Sequence, residues 1–155
     1  MFDLRALSFG GPAAVVTSMG LIVGLDAATA AKGAVIGSVL IVGIADNLTD
    51  SLSVHIYQEA ERLPQRKAFR TTVANFFARL IAALSFVAIL LAVPMPAALY
   101  AALAWGFVLL AALSYLLAKL RGANPFAQIW RHSAMAVLVI ATSKAIGTWL
   151  PELMR

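Results

Sequence analysis

No cysteine occurs in this 155-residue chain, which excludes disulfides and thiolate metal sites and leaves the redox compartment open. Charge is scarce as well. Only 12% of the residues are Asp, Glu, Lys or Arg, against roughly 25% in a soluble domain. There is no phosphate-cradling glycine loop, no nucleophile beside a base and no clustered His/Cys set. An enzyme is therefore not expected, and neither is a bound cofactor. The opening Met-Phe-Asp-Leu-Arg lacks a basic head running straight into an apolar core and a small-residue cleavage site, so no removable signal peptide is expected.

What fills the chain is apolar surface, at 62% hydrophobic residues and a mean hydropathy of +0.90. The stretch from Leu80 to Ala118 carries no charge and is broken only by Pro94-Met95-Pro96. Because about 20 residues cross the hydrocarbon once, that stretch reads as two antiparallel spans joined by a proline turn. The whole sequence reads as an all-α integral membrane protein, one domain over residues 1–155, with five helices near 11–27, 33–57, 72–93, 97–118 and 130–150. Pro12 suits a first helical turn, and Asn124-Pro125 interrupts the chain before the last helix.

The net charge of +5 does not point to nucleic acid, since the basic residues sit in short segments flanking apolar spans. Arg62, Arg66, Lys67 and Arg70 fall between the second and third helices, and Lys119, Arg121 and Arg131 between the fourth and fifth. The positive-inside rule makes both loops cytoplasmic. With Arg5, the N-terminus is then expected in the cytoplasm. Asp26, Lys32, the Pro-Met-Pro turn, Glu152 and Arg155 fall on the other side, and the C-terminus is expected outside.

Against this background, Gly43-Ile-Ala-Asp-Asn-Leu-Thr-Asp50 is the anomaly, because it carries two carboxylates into a span. Each costs on the order of 2.5–3.5 kcal/mol there unless it faces a partner, a wet cavity or an ion. At about 1.5 Å of rise per residue, Asp46 lies roughly 18 Å and Asp50 roughly 24 Å below the outer face of a ~30 Å core. The i, i+4 spacing stacks them on one helix face, and Gly43, Asn47, Ser53 and Tyr57 extend it as a polar stripe. Hard oxygens converging in lipid suit a divalent cation or a proton relay.

Other readings stand beside this one. Arg79, in the third helix, lies near the depth of Asp50 and can neutralise it in a structural or gating ion pair. Lys144, in the fifth helix, can snorkel to the interface or pair with Asp46. His55 and Glu59 can gather a metal at a cytoplasmic entrance or form an ordinary i, i+4 pair. Met19 can offer a soft metal contact or simply pack. Gly20 and Gly24, like Gly33 and Gly37, permit close helix approach within the chain or between copies, and helices one and two are expected to make the closest contact.

The order of features resembles the vacuolar iron transporter family. Gly20-Leu-Ile-Val-Gly-Leu25 resembles that family's Gly-Leu ending of helix one, and Gly43-Ile-Ala-Asp46 its small-residue approach to an acidic residue. Ser51-Leu-Ser53 falls near its Ala-x-Ser-Met segment, and Tyr57-Gln-Glu59 resembles its polar exit from helix two. The likeness covers about residues 8–61. This chain has Val54 in place of the metal-contacting Met, and the basic stretch Arg62–Arg70 in place of a long acidic insertion.

The resemblance implies a small prokaryotic-type member: a homodimer exporting ferrous iron or manganese from the cytoplasm in exchange for protons, in a bacterial inner membrane. Asp46 would be the central metal ligand; Asp50, Met19, His55 and Glu59 are further candidates from their own chemistry, Asp50 being an addition to the family's pattern rather than a match. Two alternatives are kept. One is a transporter of another ion whose acids pair with Arg79 and Lys144; the other is a membrane scaffold or regulatory subunit that transports nothing.

Overall fold

The structure, a computed structural model, describes residues 10–29, 31–62 and 64–154, with the side chain of Lys67 outside that description. Arg5 and Arg155, on which part of the expected orientation rests, lie outside the described residues. Five helices follow one another: α1 (Gly11–Thr29), α2 (Lys32–Ala60), α3 (Gln65–Ala92), α4 (Ala97–Arg121) and α5 (Pro125–Leu153). All five are long and apolar enough to cross a membrane.

The helices outrun the apolar stretches that announce them, most of all at the starts of α3 and α5. Pro64 precedes α3, and the Gln-Arg-Lys-Ala-Phe-Arg run after it is already helical, because Arg and Lys stems suit a helix at an interface where their heads reach water. At α5, Asn124 accepts hydrogen bonds from the Phe126 and Ala127 amides at 3.0 and 3.4 Å, while Pro125 occupies the first turn. The break anticipated at Asn124-Pro125 is thus an N-cap. Gly122 closes α4 with φ of +66°, which a glycine adopts without strain.

Short turns join successive packed helices, so the α2–α3 and α4–α5 turns share one end of the bundle. We call this the basic end, after Arg62, Arg66, Arg70, Lys119 and Arg121. At the opposite end, Lys32 Nζ donates to the Val93 carbonyl at 2.9 Å and ties the start of α2 to the end of α3.

α1 is the axis, touching all four other helices. Its most extensive contact is with α5 rather than α2, which corrects the expected α1–α2 pairing. The cause is a seam of small residues. A Cβ on Gly24 would lie 3.1 Å from the Ser143 carbonyl oxygen, one on Gly20 would lie 2.7 Å from Val139, and one on Gly147 would overlap the Gly24 carbonyl. Backbones therefore meet almost directly. Gly33 and Gly37 face nothing within 4 Å.

The apolar core lies toward the end opposite the basic one. Val15, Met19 and Ile22 of α1 pack there with Val35 and Val39 of α2, Phe86 and Leu90 of α3, and Ala98, Ala102 and Leu110 of α4. Toward the basic end, the interface between α2 and α3 changes from apolar to polar.

Candidate functional site

α2 and α3 run antiparallel in a register fixed by close approach. Gly43 sits against Ala83, where a Cβ on the glycine would come within 3.2 Å, and one turn further on Asn47 meets Arg79. The absent side chain at Gly43 lets the helices draw together and places the guanidinium of Arg79 over the Asp46–Asp50 turn.

Arg79 is 1% exposed, the largest of the fully buried side chains. Its Nε donates to Asn47 Oδ1 at 2.7 Å, Nη1 to the Gly10 carbonyl at 2.8 Å, and Nη2 to Asp46 Oδ2 at 2.7 Å. Nη1 also pairs with Asp50 Oδ2. One guanidinium thus faces two carboxylates, leaving a surplus of one formal negative charge. The acids are not enclosed, since their side chains are 40% and 38% exposed on the outward side of α2. Asp46 and Asp50 present one edge to Arg79 and the other to the surroundings of the bundle.

The other candidates do not join this group. Met19 is fully buried on the opposite side of α1, with its sulfur filling the gap that Gly106 of α4 leaves. Lys144 is exposed on α5 and makes no ion pair among the described residues, while Asp46 is engaged by Arg79. His55 and Glu59 pair with each other at 3.4 Å between Nε2 and Oε1, and Asp50 lies more than a turn further into the bundle. Among the described residues no three of His, Cys, Asp and Glu converge as a metal site. The polar stripe divides: Ser53 and Tyr57 are exposed with the acids, whereas Asn47 is buried, because one residue of helix turns it about 100° toward α3.

Several residues of the site were not singled out from sequence. Gly10 supplies a carbonyl from the start of α1. Asn75 and Thr71 continue the Arg79 face of α3 at steps of four, and Ser51 and Gln58 continue the Asn47 face of α2; all four are buried. An i, i+4 series Thr71–Asn75–Arg79 was the available signal. Beside Arg79 lies a chamber of about 10 Å³ lined in part by Thr17, Ser18, Asp46 and Asn47. At the basic end a cavity of about 530 Å³ is bounded by His55, Gln65, Arg66, Phe69 and Arg70. Elsewhere, His132 of α5 contacts Ser114 of α4 at 2.7 Å and Gln128 at 3.1 Å, joining two helices.

Neither a family model, nor a curated protein, nor a solved structure matches the chain.

Proposed function

We propose that this protein is a small-cation transporter, working as a homodimer, in which Asp46 and Asp50 bind the cation and Arg79 competes with it. The observation that carries this reading is the charge count: one buried guanidinium against two half-exposed carboxylates in a membrane span. A surplus negative charge at that depth is costly without a counter-ion. A cation or a proton supplies it. Two carboxylates in one chain are too few for a divalent cation that takes six or more oxygens, but two copies meeting across a two-fold axis through α2 bring four. The same contact removes the acids from lipid and covers the exposed Thr49 and Ser53 beside them.

All-oxygen donors favour hard divalent ions, manganese among them, and the resemblance to vacuolar iron transporters adds ferrous iron. Arg79 then acts as a resident counter-charge that holds the empty site closed and yields when the cation arrives. The basic loops favour a cytoplasmic N-terminus and an outside C-terminus, and the resemblance to vacuolar iron transporters supports export, with protons as the exchanged ion, in a bacterial inner membrane. This is ion movement rather than catalysis.

One observation favours a second reading. Arg79 is held by four acceptors, as a purely structural clasp would be, and a scaffold that transports nothing would use the cluster in that way. Flux decides between them. Purified protein in sealed vesicles is given ferrous iron, manganese, cobalt or calcium, and uptake is followed for wild type and Asp46→Asn. The transport reading expects flux of at least one ion, lost in Asp46→Asn with the fold retained; equal flux in both sinks the ligand assignment.

A further inference from the structure

Five buried polar atoms have no hydrogen-bond partner among the described residues, and all lie where α2 faces α3: Ser51 Oγ, His55 Nδ1, Gln58 Oε1, and both amide atoms of Asn75. Asn75 is 0% exposed, Gln58 5% and Ser51 6%. The register set by Gly43 with Ala83 and Asn47 with Arg79 places Ser51 level with Asn75 at the next step of four, and His55 level with Thr71 at the step after. The idle atoms therefore form a file from the basic end to Arg79. Folded proteins leave few buried polar atoms unpaired, and buried water, making about three hydrogen bonds per molecule, is the usual bridge.

We propose that the α2–α3 seam is a water-filled half-channel that leads from the basic end to Arg79. Its mouth is the cavity of about 530 Å³ beside His55. There the imidazole turns Nε2 toward Glu59 and leaves Nδ1 buried and unpaired, so that one nitrogen serves each side of the ring. Among the described residues, Arg66 and Arg70 of α3 are the other charges that line the same mouth, and Glu59 faces the imidazole from its own helix. At its inner limit, the chamber of about 10 Å³ beside Arg79 holds about one water. Val35, Val39, Phe86 and Leu90, none more than 1% exposed, close the way beyond. The seam is therefore open toward one end only.

Water admitted this far reaches the guanidinium that holds Asp46, Asn47 and the Gly10 carbonyl. Hydration of the seam does not rest on the transport reading above.

The absence of native cysteine makes the test direct. Ser51→Cys, Asn75→Cys and, as a dry control, Val39→Cys are placed singly in the full chain in lipid vesicles, and loss of the S–H infrared band is timed after transfer to heavy water. Exchange at positions 51 and 75 is expected at least about tenfold faster than at 39, as water contact without local unfolding requires. Adding Asn75→Leu to Ser51→Cys should slow exchange at 51 toward the control; should that variant not fold, Gln58→Leu blocks the same file nearer its mouth. Exchange at 51 and 75 no faster than at 39, or exchange at 51 indifferent to the block, overturns the half-channel. A wild type with fast exchange and no cation flux overturns the transport reading alone.

Discussion

Gly10 has no side chain where Arg79 needs the space: a Cβ built on Gly10 would fall within the guanidinium that donates to the Gly10 carbonyl. The start of α1 is thereby locked to the centre of α3. Gly10→Ala should force Arg79 out of its geometry and destabilise the protein by about 1–3 kcal/mol, the usual range for an overpacked site. Denaturant unfolding in detergent measures it. Wild-type stability in Gly10→Ala would show that the guanidinium does not reach this carbonyl.

Because Arg79 faces two acids, removing one still leaves it paired. Asp46→Asn and Asp50→Asn should each change stability little, whereas the double variant, which strands a buried guanidinium, should cost about 3–5 kcal/mol. Arg79→Gln should also be severe, since it leaves two carboxylates facing each other. The quantity to read is non-additivity. If the two Asn substitutions add simply, the shared-partner geometry is wrong.

The spans, their number and the anomalous acids were legible in sequence because each rests on a run of composition: apolar length, scarce charge, and carboxylates within a span. Arg79 was legible by depth alone. Packing partners were not. Nothing in Gly20-Leu-Ile-Val-Gly24 says which helix meets it, and the answer, α5, depends on Ser143 and Gly147 more than a hundred residues away. Asn47 was read with Asp46 as one stripe, yet a single residue of helix separates a partly exposed carboxylate from a buried amide. Met19 offered the same sulfur to a ligand role or to packing, and the small Gly106 opposite it fills the second.

The glycines divide by what they face, which gives a contrast within one experiment. Gly24→Leu and Gly147→Leu should disrupt the α1–α5 contact and lower the melting temperature of the chain itself, because the new side chains have backbone where they need room. A Cβ on Gly33 or Gly37 meets nothing within 4 Å, so Gly33→Leu and Gly37→Leu should leave that temperature near wild type. Melting curves that rank the pairs the other way would contradict the small-residue seam.

The exposed side of Asp46 and Asp50 gives the sharpest test of assembly. A carboxylate 40% exposed in a membrane span must meet something other than hydrocarbon, and in the proposed homodimer a second α2 related by a two-fold axis would provide it. Residues of that face then approach their own copies. Thr49→Cys or Ser53→Cys, each the sole cysteine in the chain, should give a covalent dimer under mild oxidation in membranes, since a disulfide forms only when the Cα atoms come within about 7 Å. Val137→Cys, equally outward but on α5, should remain monomeric on the same non-reducing gel. A dimer from Val137→Cys with none from either α2 position would move the interface to α5 and leave the acids to be covered by something else.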